Sequence, residues 1–222
     1  MTPTARPSTI LFDIDGTLVD SNFLHVDAWQ RAFALQGVHA DAWRIHRAIG
    51  QDASRLVTEL AGERDEAWTA EAKQGHSLFY RELAPRLRAF DGATDLLRAV
   101  ADRGTRAVLA TSAPDEELEL LLRALDAGDA VHATTSADDV DRAKPDPDIL
   151  AVALERAETD AADAAFVGDS TWDMIAAERA GVIAYGVRSG GTSAAELREA
   201  GAREVFDDPA DLLARVDELV LG

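Results

Sequence analysis

The segment LFDIDGTLVDS, residues 11–21, sets Asp13 and Asp15 two positions apart directly after an apolar run and follows them with Gly16 and Thr17. Two carboxylates that close repel each other and are costly to take out of water, so the pair needs either a compensating cation or a place in solvent. A solvated turn is one reading, because Asp-Gly is a common turn dipeptide. The other reading needs partners from elsewhere in the chain. Three segments offer them: VLATS with Thr111 and Ser112, RAKPDPD with Lys144, and GDSTWD with Asp169 and Asp173.

Taken together, these residues suit phosphoryl transfer through a covalent aspartyl intermediate. Asp13 is the expected nucleophile, since a carboxylate can form an acyl-phosphate and split one difficult displacement into two steps. Asp15 projects to the same side of an extended chain and is the expected general acid, then base toward water. Lys144 supplies a point charge that lets an anionic nucleophile approach an anionic phosphate, and the Thr111 hydroxyl, with Ser112 beside it, donates to phosphate oxygens. A hard cation such as Mg²⁺ takes carboxylate ligands, for which Asp13 and Asp169 are suited. Asp173 is either a further carboxylate on the metal side or compensation for the dipole of a helix it opens. Gly16 fits a place where the backbone turns and comes close to a ligand.

These residues must be delivered by strand ends. Five β-type segments recur, Thr9–Phe12, Arg106–Ala110, Ala130–Thr134, Ala164–Val167 and Val182–Val187, separated by helical patterns such as ATDLLRAVADRG and PDILAVALERAE. Strands apolar on both sides of the pleat, alternating with helices, predict a parallel sheet covered on both faces, with ligands at the carboxyl ends. From Asn22 to about Arg88 the rhythm breaks, and only helical stretches such as VDAWQRAFALQG and EAWTAEAKQGHSLFYREL occur. This predicts a small helical domain, 21–88, inserted into an α/β core of 1–20 and 89–222. Within it His25 lies one helical turn before Trp29 and either packs on the indole or serves the site. Arg47, Gln51, Lys73 and His76 either face the site or lie on helix surfaces, while Trp29, Trp43 and Trp68 are expected in the packing of the insert. PADLLARVDELVLG reads as one closing amphipathic helix.

Composition narrows the partners. Of 222 residues 47% are apolar and 28% charged, a balance that predicts a folded globular chain. With no cysteine, thiolate metal sites and cysteine nucleophiles are excluded. A net charge of −19 argues against nucleic acid and anionic membranes as partners. The start MTPTARPST has no apolar signal core, so a cytoplasmic location is expected. A small phosphorylated metabolite is the expected partner, met by a monomer or homodimer.

In these motifs the chain resembles the haloacid dehalogenase superfamily. DIDGT (Asp13 to Thr17), VLATS, Lys144 in AKPDPD and GDSTWD stand where its four motifs would, in order. The resemblance implies a Rossmann-like sheet with a helical cap inserted after the first motif, and a Mg²⁺-dependent reaction. Within the superfamily the chain is similar to the phosphoglycolate phosphatase and β-phosphoglucomutase branch. There, DSNFLHVDAW resembles a hinge segment whose histidine, here His25, helps orient the acid/base aspartate, here Asp15, whose backbone carbonyl also ligates Mg²⁺. The mutase pattern has a Glu where this chain has Gly168, and its cap-loop Arg has no clear counterpart in RAIGQDASR, where Ala53 falls near its position. Both departures favour a phosphatase, with a phosphomutase or a non-catalytic binding domain as alternatives.

Overall fold

The computed structural model describes residues 7–140 and 142–221, so positions 1–6, 141 and 222 of the expected core lie outside the described residues. In chain order the main elements begin with β1 (Thr9–Phe12), α1 (Asn22–Leu35), α2 (Ala42–Ala48), α3 (Ala53–Ala61) and α4 (Glu66–Leu83). They continue with α5 (Ala93–Asp102), β2 (Arg106–Ala110), α6 (Asp115–Leu125), β3 (Ala133–Thr135), α7 (Asp148–Arg156) and β4 (Ala164–Gly168). The last are α8 (Thr171–Ala180), β5 (Ile183–Val187), α9 (Ala194–Glu199), β6 (Glu204–Phe206), α10 (Pro209–Ala214) and α11 (Val216–Leu221).

Among the described residues six strands form one all-parallel sheet in the order β3-β2-β1-β4-β5-β6. The order reverses at β1, which places the carboxyl ends of β1 and β4 at the crevice where open α/β sheets bind ligands. Alternation along the strands accounts for their double-sided apolarity. Ile10, Phe12, Leu109 and Val167 face a layer formed with α5, α6 and α10, while Leu11, Val108 and Phe166 face one formed with α7, α8 and α9. Every residue of β1 is buried, and a polar substitution inside either layer would leave an unpaired group.

α1 to α4 form the helical insert, with an apolar cluster of their own that includes Trp29, Phe33, Ile45, Leu56 and Leu60. The chain leaves and re-enters the sheet at one place. Asp20 N–H donates to Arg88 O and Phe90 N–H donates to Leu18 O, each at 2.9 Å. No helix among the described residues is long and apolar enough to cross a membrane.

Four sequence expectations are corrected. The strand expected at Ala130–Thr134 is β3, Ala133–Thr135, because pairing of Val108 with Ala133 sets its register and a 3₁₀ turn occupies Gly128–Ala130. β6 went unread because it is a three-residue edge strand that opens on a glutamate. The closing helix is two helices, broken where Arg215 turns onto the Phe206 ring at 4.2 Å and reaches Glu204 at 3.3 Å. Trp43 does not pack inside the insert. It is 68% exposed, because Ile45 and Ala48 define the inward face of α2 and Trp43 falls on the other side.

Candidate active site

Asp13 leaves the end of β1, where its N–H donates to Val167 O at 2.9 Å, and its side chain is buried. Lys144, in the turn ahead of α7, is 1% exposed and donates to Asp13 Oδ1 at 2.5 Å and to Asp173 Oδ1 at 2.8 Å. Asp173 opens α8, and its other oxygen, Oδ2, accepts from Ser170 N–H and Oγ–H in a capping box, which is the helix-opening role expected for it. Asp169 follows β4 and accepts from Thr17 Oγ1 at 3.0 Å and Asn22 Nδ2 at 2.9 Å. A carboxylate oxygen from each of Asp13, Asp169 and Asp173 lies within 4.8 Å of the others.

Charge decides what this cluster lacks. Three carboxylates face one ammonium in surroundings closed to water. Burial, with the charges of Asp173 and Asp15 adding to it and Lys144 opposing, pushes Asp13 up to about 7. Burial first, then the charges of Asp173 and Asp13, raises Asp169 well above the carboxylate range. Fully ionised, three carboxylates and one ammonium would carry a charge of about −2; burial instead favours protons on Asp13 and Asp169, and such an oxygen-only donor set fits a hard divalent cation such as Mg²⁺, which would displace them.

Asp15 sits in a different field. Burial works to raise it, yet the His25 charge and hydrogen bonds from His25 and Ser21 outweigh burial and hold it below the usual range. Ser21 Oγ donates to Asp15 Oδ1 at 2.5 Å, and His25 Nε2 lies 3.1 Å from the same oxygen. Burial lowers His25, but the Asp15 charge and bond more than reverse this and raise it. His25 therefore neither simply packs on Trp29 nor stands alone: its other nitrogen, Nδ1, is 3.0 Å from His76 Nε2.

A cavity of about 740 Å³ opens beside Asp13 and Asp15 and is also lined by Thr111, Ser112, Lys144 and His25. Thr111 is buried, and Ser112 Oγ is buried without a hydrogen-bond partner, a donor free for a ligand oxygen. Gln51, Lys73 and His76 line it as well. Gly16 does not line it. Its positive φ of 75° fits the expected turn, but the close approach is to the cluster, since a Cβ there would lie 2.2 Å from Asn22 Nδ2 and 2.6 Å from Asp169 Oδ2. Arg47 does not line it either. Its guanidinium pairs with Glu196 on α9, because α2 turns that face toward the sheet's outer loops, where Trp172 Nε1 also donates to Arg47 O.

Sequence reasoning missed four residues. Thr17 lies within DIDGT and Asn22 within the hinge segment DSNFLHVDAW, so both were within reach. Gly190, where a Cβ would lie 1.6 Å from Asp169 Oδ2, and Glu117, buried on α6, have no local signal.

A parallel α/β sheet with this acidic, lysine-bearing crevice defines a class, and the comparisons agree: the chain belongs to the haloacid dehalogenase-like hydrolase family, whose model matches residues 7–181. It is similar to the phosphoglycolate phosphatase of Rhodospirillum rubrum, 32% identical over 93% of this chain and 89% of that one. The validoxylamine A 7′-phosphate phosphatase of Streptomyces hygroscopicus subsp. limoneus is 30% identical over 80% of this chain and 84% of that one. Among solved structures, a hydrolase from Pseudomonas syringae superposes with a TM-score of 0.92 at 32% identity, covering 96% of this chain and 99% of that one.

Proposed function

We propose that this chain is a Mg²⁺-dependent phosphatase that hydrolyses a small phosphorylated metabolite, of the phosphoglycolate or sugar phosphate type, through an aspartyl-phosphate. The observation that carries the reading is Lys144 bonded to Asp13 and Asp173 with Asp169 beside them, at the edge of a cavity between the insert and the sheet. In this reading residues 21–88 are a cap over the core of 1–20 and 89–222 and exclude bulk water from the reaction.

Asp13, Asp169 and Asp173, with the Asp15 backbone carbonyl, would hold the ion. Bound there, Mg²⁺ supplies charge neutralisation at the phosphate oxygens. Lys144 holds the Asp13 carboxylate and screens it from the incoming phosphate, while Thr111 and Ser112 donate to oxygens that are not transferred. An Asp13 oxygen forms a bond to phosphorus as the bond to the ester oxygen breaks, and Asp15, which is ionised in the free site and must take up a proton as the anionic substrate binds beside it, gives that proton to the ester oxygen. Asp15 then takes a proton from water as the water attacks phosphorus, which releases phosphate and restores Asp13.

The mutase alternative is disfavoured by two features. A side chain at position 168 would run into Asp173, with a Cβ 2.5 Å from the Asp173 Cβ, so a Glu there has no room. Arg47 is held by Glu196 away from the cavity. A screen of phosphorylated metabolites with and without EDTA tests the proposal. Metal-dependent release of phosphate is expected. Metal-independent release, or stimulation only by a sugar bisphosphate, would refute it.

A further inference from the structure

His25 has two ring nitrogens, and only one is used on Asp15. From the other a row of buried polar groups leads away from the metal cluster: His25 Nδ1 to His76 Nε2 at 3.0 Å, His76 Nδ1 to Glu117 Oε1 at 3.5 Å, and Ser77 Oγ donating to Glu117 Oε1 at 3.0 Å. His25, His76 and Glu117 are 8%, 7% and 3% exposed, so each needs its partners to offset the loss of water. Aromatic neighbours fix both ring planes. Tyr80 stacks on His25 with centroids 4.1 Å apart and Trp29 on His76 at 4.4 Å.

Donors and acceptors can be placed along the row. With Asp15 accepting from His25 Nε2, and Glu117 drawing the His76 Nδ1 hydrogen toward it as a charge contact at 3.5 Å, one proton lies between the two rings. The two nitrogens of His76 face opposite partners, His25 on one side and Glu117 on the other.

The row also crosses the molecule. His25 is on α1 and His76 on α4, both in the helical insert, whereas Glu117 is on α6 after β2. We infer that His76 and Glu117 are positioning residues: they hold the His25 ring, and through it the Asp15 carboxyl, in place, and the row is complete only while the insert is seated on α6. Asp15 is thereby fixed for proton transfer when the cavity is closed. The inference rests on the phosphatase reading above.

Glu117→Gln keeps the shape and removes the acceptor charge, and His76→Phe keeps the stacking and removes both nitrogens. Each is expected to lower kcat about tenfold, part of the roughly 10²–10⁴-fold that acid/base catalysis contributes, with KM changed by less than about twofold. The double variant is expected to be no worse than the poorer single one, as for residues that act as a unit. In the metal-free, substrate-free protein labelled with ¹⁵N-histidine, Glu117→Gln is expected to move the ring ¹⁵N resonances of both His76 and His25. Unchanged kcat, a raised KM at constant kcat, losses that multiply in the double variant, or a His25 resonance indifferent to Glu117→Gln would each overturn the inference. Absence of Mg²⁺-dependent phosphate release from the wild type would instead overturn the phosphatase reading, while the resonances would still judge the row.

Discussion

Asp13→Asn should make the metal-free protein more stable, by an amount that depends on pH. The Asp13 carboxyl is moved from its ordinary 3.8 to about 7 in the fold, by burial first and by its acidic neighbours second. Each tenfold change in proton affinity is about 1.36 kcal/mol, so ionised Asp13 destabilises the fold by up to about 4 kcal/mol. Below 3.8 the carboxyl is protonated in both folded and unfolded chains, and the penalty is absent. Between 3.8 and about 7 the folded chain keeps a proton that the unfolded chain has released, so stability falls as pH rises, and above about 7 the full penalty stands. Asparagine carries no such proton, and its oxygen can still accept from Lys144. In urea unfolding with EDTA, the advantage of Asp13→Asn over wild type should therefore be near zero at pH 4 and approach about 4 kcal/mol at pH 8. Removing the Asp13 charge also relieves Asp169, which that charge helps to raise, and this adds to the gap at high pH. Saturating Mg²⁺ should stabilise the wild type more than the variant and narrow the gap at pH 8. A gap that does not change with pH, or one that Mg²⁺ leaves alone, would refute the reasoning that this cluster is short of a cation.

Asp15→Asn should bind substrate in a direct titration with affinity close to wild type while kcat falls roughly 10²–10⁴-fold, because the acid/base group is lost and the binding surface kept. Equal losses in binding and turnover would contradict this. Gly190→Ala puts a methyl group 1.6 Å from Asp169 Oδ2 and must push that carboxylate aside. The Mg²⁺ concentration for half-maximal activity should rise about 10- to 100-fold, and an unchanged value would show that Asp169 is not a ligand. Lys144→Met leaves three buried carboxylates without their ammonium, and breaking such a pair costs about 3–5 kcal/mol. Thermal unfolding in EDTA should show a large drop in Tm that Mg²⁺ partly restores, and a Tm equal to wild type would remove Lys144 from the cluster.

Some of this architecture was legible in the sequence for a physical reason. Strands buried on both faces read as continuous apolar runs, and the polar residues that interrupt them at their carboxyl ends, Asp13, Thr111 and Asp169, stand out against that background. Lys144 is less obvious in isolation, and only the joint demand of several carboxylates for a cation singles it out. Residues on helices were harder, because a side chain's direction depends on how the helix is rotated against its neighbours. Arg47 and His76 lie on helices of the same insert, yet one turns outward to Glu196 and the other inward to His25. Trp43 carries a large apolar side chain and still faces solvent, since Ile45 and Ala48 already define the buried side of its short helix. Gly190 matters only through its distance from Asp169, which no local pattern encodes. β6 is too short to show a period, and its place follows from pairing with β5.

The central claim is that Asp13 carries the phosphoryl group during turnover. Protein mixed with Mg²⁺ and its best phosphorylated substrate, quenched in acid within a single turnover and digested for mass spectrometry, should show phosphate on the peptide containing Asp13 and on no other aspartate. The Asp13→Asn variant should show neither adduct nor turnover. Turnover with no aspartyl adduct, or an Asp13→Asn variant that still releases phosphate, would contradict the account.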